Sequence, residues 1–299
     1  MQRAIFILFG LLTLIMCLQV QCNTPANKTA MLKNPDAKQI ITELEKGNDV
    51  FLINSAITGD LDFTTLNTAY TASAAIRQYE VAGSLTMVNC VVKGQVIGYH
   101  IDKESLKQVV FRKNFSCPGT RFEGKVNLQD AQINGIADFS AAVFDKPVSF
   151  EGAVFNSRPQ FNKATFYDEA RFQGALFMYH ATFMDAVFEG VAGFQNVRLY
   201  ADANFNNTRF LRYADFGNLQ CQGDLFFNYA QFAKQAMFNN GRLFGRVEMM
   251  NCLFENQLDF SQTLFYGNLK LVNTKCKAEL LLNDATFLVA KPDVQQLKP

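Results

Sequence analysis

The chain has 299 residues, enough to bury a large core, and carries 30 Phe, no Trp and a formal net charge of +1. That balance excludes a nucleic-acid surface built on a basic excess, and equally a DNA-mimicking surface built on an acidic one. So strong a bias to phenylalanine points to one structural slot filled many times over.

The first element, MQRAIFILFGLLTLIMCLQVQC (1–22), has the form of a signal peptide. Arg3 supplies the positive start, and Ala4 to Leu18 form an apolar run of about 15 residues. A membrane span needs roughly 20, so a retained anchor is disfavoured. Val20 and Cys22 suit the positions preceding a cleavage before Asn23. A lipid anchor on Cys22 or Cys17 is the alternative, although Gln21 or Met16 stands where a small residue is usual. The expected location is therefore exported: periplasmic, secreted or envelope-associated. A polar linker (23–33) follows. Residues 34–47 then read as a short helix, with Asn34 as cap, Pro35 in the first turn and Gly47 as the stop. Ala37, Ile40, Ile41 and Leu44 share one face, which must lie on something apolar such as the open end of a sheet.

From residue 48 to 288 the sequence is a repeat. One series of rings, Phe139, Phe150, Phe161, Phe172, Phe183, Phe194, Phe205, Phe216, Phe227, Phe238 and Phe260, advances in steps of eleven, with Met249 filling one gap. A second, interleaved series does the same: Phe144, Phe155, Phe166, Phe177, Phe188, Phe210, Phe232, Phe254 and Phe265, with Leu199, Cys221 and Leu243 in its gaps. Two residues before most rings stands a small residue, as at Ala142, Ala153, Ala164 and Ala175. In an extended chain these two side chains face the same way, inward, and the residue between them faces out. Such triplets are too short to stand alone and must stack on equivalent triplets of neighbouring coils. The pattern is regular over 109–288 and irregular over 48–108, where surplus residues are expected to form loops within 65–84 and 98–108. Gly59, Gly94, Gly124 and Gly135 suit tight corners. Residues 289–299 are a tail.

Ala137-Asp138-Phe139, Ala203-Asn204-Phe205 and Ala214-Asp215-Phe216 resemble the pentapeptide-repeat proteins, whose consensus is A-(D/N)-(L/F)-x-x. The extra residue in alternate units resembles the phenylalanine-rich branch of that superfamily. The likeness is strong over 109–288 and weak over 49–108. It implies an all-β fold: a right-handed quadrilateral parallel β-helix of four short faces and about 22 residues per coil, closed at one end by the helix. Stacked coils of that kind make the regular part on the order of 40 Å long. Some members of the family mimic DNA and bind topoisomerases; an exported chain without acidic excess is poorly suited to that role.

Chemistry is sparse. Cys90, Cys117, Cys221, Cys252 and Cys276 fall in ring or small-residue slots, out of register with one another, and are expected as buried free thiols. No Cys/His spacing suggests a metal, no cofactor is implied, and Asp138, Glu151, Asp168, Asp185, Asp202, Asp215 and Asp259 are scattered outward. No catalytic residue is assigned. One outer column stands out: Met178, Tyr200, Gln222, Phe244, Tyr266 and Leu288, each directly after a ring, while Glu151, Gln173, Gln195, Gly217, Asn239, Ser261 and Asn283 make a polar column elsewhere. Met178, Tyr200, Phe244, Tyr266 and Leu288 are the candidate interaction strip. The favoured function is an exported, non-enzymatic scaffold for a protein or cell-envelope partner. The alternative is a carbohydrate-binding or carbohydrate-active β-helix. Neither involves nucleic acid.

Overall fold

The structure, a computed structural model, describes residues 28–292 apart from 74, 103 and 104. The expected signal peptide and lipid-anchor cysteines lie outside the described residues. The chain winds into a parallel β-solenoid of four faces. Face 1 runs from Thr29–Met31 to Leu269–Lys270, with Gln160 bridging its two halves. Face 2 has ten strands from Ala56–Ile57 to Lys275–Cys276, and face 3 ten from Leu61–Asp62 to Leu280–Leu281. Face 4 runs from a hairpin at Ala69–Val81 to Thr286–Phe287. In the regular part each strand is two residues long and pairs in parallel with the next coil, as Val143↔Thr165↔Val187 does on face 2.

Strands this short persist because each triplet buries two side chains. In Ala170-Arg171-Phe172, for example, the flanking residues are fully buried and the arginine is exposed. The rings explain the two interleaved series. The first series alternates between opposite faces 1 and 3, whose rings interlock edge to face across the shaft: Phe161–Phe172 at 5.4 Å and 87°, Phe172–Phe183 at 5.4 Å and 89°, Phe183–Phe194 at 5.4 Å and 88°. Within one face they stack flat, as Phe172 does on Phe194 at 4.8 Å and 3°. The second series belongs to faces 2 and 4 and packs as columns on either side of this zipper, for example Phe166–Phe188 at 4.6 Å and 6°. Both geometries suit the ring quadrupole. Every phenylalanine of both series up to Phe265 is at most 2% exposed.

Corners alternate in length. The shorter ones, between faces 1 and 2 and between faces 3 and 4, turn through a left-handed residue two places after the ring. Asp130, Ala141, Gly152, Lys163, Gly174, Asp185 and Asn196 begin a column of positive φ that recurs every eleventh residue to Asp284. Asn, Asp and Gly dominate it because they tolerate that region best. The longer corners often carry Gly for a different reason. A Cβ on Gly124 would stand 2.3 Å from the carbonyl oxygen of Gly94 in the coil below.

The N-terminal end differs from the expectation in three places. The helix, α1, spans Ala37–Glu45 and is capped by Asp36, not Asn34. Asp36 and Gln39 form a reciprocal capping box, with 3.0 Å from Gln39 N–H to the carboxylate and 3.1 Å from Asp36 N–H to the amide oxygen. Asn34 instead accepts the Ala56 N–H at 2.9 Å and so ties the incoming chain to face 2. Gly47 does end the helix, at φ 75, with Gly47 N–H on Leu44 and Asn48 N–H on Glu43 in the Schellman arrangement. The linker is not structureless, since Thr29–Met31 extends face 1 in parallel with Asp49–Phe51. Nor are the surplus residues loops. Ala69–Ser73 with Ile76–Val81, and Tyr99–Ile101 with Leu106–Phe111, are antiparallel hairpins. They stack through six parallel pairs from Leu106↔Ile76 to Phe111↔Val81 and make a fin on face 4. Helix α1 buries Ala37, Ile40, Ile41 and Leu44 on the first coil. At the other end the last coil is less covered: Leu280, Leu282 and Phe287 pack on the core but are only partly buried.

Candidate functional site

With the interior filled by rings, the outer surface is where recognition can occur. The corner from face 4 to face 1 has three residues per coil. Its first column is the strip foreseen from spacing, and the structure places it in the open: Met178 is 39% exposed, Tyr200 47%, Phe244 36%, Tyr266 39% and Leu288 57%. Tyr179 and Val289 in the second column, and Ile136 further up, add to the same edge. Backbone hydrogen bonds hold each position to the coil before it: Tyr200 N–H to Phe177 oxygen at 2.9 Å, Gln222 to Leu199 at 2.8 Å, Phe244 to Cys221 at 2.9 Å. Phe244 and Tyr266 stack on one another, centroids 4.4 Å apart and planes at 10°.

The second column changes from Tyr179 and Ala201 to Gly223, Gly245 and Gly267. These glycines are required by proximity. A Cβ on Gly245 would lie 2.2 Å from the Gly223 carbonyl oxygen, and one on Gly267 2.2 Å from that of Gly245. The third column locks the corner electrostatically. Asp202 accepts the Asp224 N–H at 2.8 Å, and Asp224 accepts the Arg246 N–H at 2.8 Å. The Arg246 guanidinium grips the Asp224 carboxylate at 2.6 and 3.1 Å and reaches Glu248 at 3.3 Å, and Lys270 joins Glu248 at 3.4 Å. Arg246 holds the Asp224 carboxyl below the usual carboxylate range. His180 stands 3.4 Å from Asp202.

On the other side of the strip lies the outward column of face 4: Leu176, Arg198, Gln220, Arg242 and Leu264, in register. Arg198 and Arg242 are exposed, and among the described residues neither makes an ion pair. Spacing alone missed these residues, because they sit in the middle of triplets. The available signal was an absence: segments 173–179, 195–201, 217–223, 239–245 and 261–267 contain no Asp or Glu. A shallow notch opens there, lined by Arg198, Leu199, Tyr200, Gln220 and Gln222.

Buried polar groups elsewhere serve the coil. Asp215 accepts Gly217 N–H at 2.8 Å and the Gln195 amide at 2.7 Å, with the Tyr213 hydroxyl at 3.4 Å. Burial, reinforced by Asp215, pushes Tyr213 up to about 12. Thr208 and Thr263 fill small-residue slots and donate to Phe183 and Phe238 carbonyls at 2.9 and 2.6 Å. Among the described residues the five cysteines are free and buried, and burial pushes Cys221 and Cys252 to about 12. Among the described residues no helix is long and apolar enough to cross a membrane, and no group of three or more His, Cys, Asp or Glu could hold a metal.

Comparison with known proteins matches part of this sequence to a family. A model of pentapeptide repeats (9 copies) matches residues 118–158, 139–186, 157–198 and 183–231. Residues 118–231 are pentapeptide repeats. No curated protein and no solved structure matches it. In pentapeptide-repeat terms the exposed strip begins within the matched repeats, at Met178 and Tyr200, and continues along further coils of the same register to Leu288.

Proposed function

We propose that this pentapeptide-repeat chain is an exported, non-enzymatic scaffold that presents one edge of its shaft to a protein or cell-envelope partner. The observation that carries the reading is the exposed ladder of Met178, Tyr200, Phe244, Tyr266 and Leu288 on a rigid backbone. Large apolar side chains held at fixed coil spacing give a partner anchors without an ordering cost. The apolar start of the chain supports export, with Asn23 as the first residue of the mature protein or Cys22 as its lipidated one.

A photo-crosslinking residue placed at Tyr200 or Phe244 in the full chain, produced in its own cells, tests this. Adducts are expected from these two positions and not from Arg209 on the opposite face, in cells whose envelope fraction contains the chain lacking residues 1–22 or 1–21. Equal adducts from Arg209, or none from either edge position, overturn the binding role. An uncleaved chain confined to the cytoplasm overturns export. The carbohydrate alternative keeps one foothold: Phe244 and Tyr266 occupy each other's faces, but the Tyr200 ring has Gln222 above it and, among the described residues, stacks on no other ring.

A further inference from the structure

Three features of face 4 coincide around Gln222. First, register sets Arg198, Gln220 and Arg242 in one column and Tyr200, Gln222 and Phe244 in the next. The two rings and the two guanidiniums are thus each separated by two coils, about 10 Å at a coil rise of about 4.8 Å. Second, the coil between them is low. Gln222 replaces an aromatic, Gly223 follows it, and the notch opens between this coil and the one before, against Arg198 and Tyr200. Third, the face 4 side of the strip is positive, whereas Asp202 and Asp224 stand on its far side, Asp224 paired with Arg246. The five acid-free segments contribute Arg198 and Arg242 as their sole ionised groups, in a chain with 27 acidic residues.

From this juxtaposition we infer that the notch binds an acidic saccharide, a uronic-acid or sulfated unit of an extended glycan running along the shaft. The inference rests on the scaffold reading and names the chemistry of its envelope partner. A sugar ring entering above Gln222 lies between Tyr200 and Phe244. Its apolar C–H face meets the open part of Tyr200, which is 47% exposed, and its hydroxyls meet the amides of Gln220 and Gln222, each able to donate and accept. Its carboxylate or sulfate faces a guanidinium, whose planar fork suits either anion. Because the arginines repeat after two coils, successive acidic units of one chain can engage both. A protein partner would need no such repeat. A duplex would need a far larger positive field than two arginines supply.

The test is direct binding of the full mature chain to oligogalacturonate, hyaluronan and heparin fragments. Cellohexaose serves as neutral probe, and a short DNA duplex and poly-glutamate as non-saccharide polyanions. At least one acidic oligosaccharide is expected to bind more tightly than all three controls. Arg198→Gln with Arg242→Gln should weaken it about tenfold or more. Gln222→Phe, which fills the notch while leaving the charges, should weaken it similarly. Arg209→Gln on the opposite face should leave it unchanged, and all variants should keep the parent melting temperature because the side chains are exposed. Binding no better than cellohexaose, equal binding of DNA or poly-glutamate, or equal loss on Arg209→Gln each overturns the inference. If it falls while crosslinks still form at Tyr200, the scaffold reading stands with a protein as its partner; if those fail too, both fall.

Discussion

At the scale of single residues, the repeat is held by what each slot tolerates. The column of left-handed residues is mostly Asn, Asp and Gly, so its exceptions carry strain. Tyr229 sits there at φ 63 and is 58% exposed, so its burial offsets little of the cost. A left-handed residue with a bulky Cβ costs about 1–2 kcal/mol, and Asn relieves part of it. Tyr229→Asn is therefore expected to stabilise the chain by roughly 0.5–1 kcal/mol, read as a higher denaturation midpoint. The ring slots behave oppositely. Phe172 stacks on Phe150 and Phe194, meets Phe161, Phe166 and Phe183 edge-on, and lies tilted against Phe177. Phe172→Ala should cost about 3–5 kcal/mol, whereas Tyr167→Ala, half exposed at a corner, should change stability by about 0.5 kcal/mol or less. The ring slots were legible in the sequence because a buried phenylalanine excludes other residues, leaving an unbroken spacing. The left-handed column was harder to see, since five different residue types occupy it between Asp130 and Asp185 and Asn196.

Among elements, corners decide the outer surface. Gly223, Gly245 and Gly267 let successive coils close up beneath the strip, and Gly245→Ala would drive its Cβ against backbone, which has no rotamer escape. Loss of about 1–3 kcal/mol is expected, with Gly174→Ala as a contrast in open space that pays only its left-handed strain. If both variants melt alike, close approach is not what selects glycine at this corner. The same scale shows where sequence ran short. Surplus residues over 65–84 and 98–108 reveal only that a coil is too long. That they pair as hairpins depends on two insertions, one coil apart, finding each other through six residue pairs. At helix α1, Asn34 and Asp36 are both competent caps, and the choice turned on Gln39 standing three residues after Asp36. The strip was visible because its residues follow rings directly. Arg198 and Arg242 stand two residues before Tyr200 and Phe244, and the coil register added that they share one column with Gln220.

For the whole molecule, a solenoid is a one-dimensional stack in which each coil rests on its two neighbours, so stability varies along the axis. The five thiols among the described residues sample that axis, all buried, and they couple it to pH. Cys221 and Cys252 are raised by burial from 9.0 to about 12 in the fold, while the unfolded chain ionises near the lower value. The unfolded state therefore sheds these protons first. Stability should be complete below pH 9 and fall as pH rises toward 12. Cys221 stands between Leu199 and Leu243 in its column, so Cys221→Leu continues an existing slot and should flatten that alkaline loss in denaturant titrations. An unchanged slope would show that exposed lysines and tyrosines govern it instead. The ends are the second consequence. At the first coil α1 seals the rings with four buried apolar residues, whereas at the last Leu280, Leu282 and Phe287 remain partly open. Amide exchange should accordingly be slowest through the phenylalanine zipper at 150–238 and fastest in the coil ending at Leu288, with the first coil close to the middle. Uniform protection along the axis would mean that the shaft opens only as a whole, and that the ring zipper couples coils far beyond nearest neighbours.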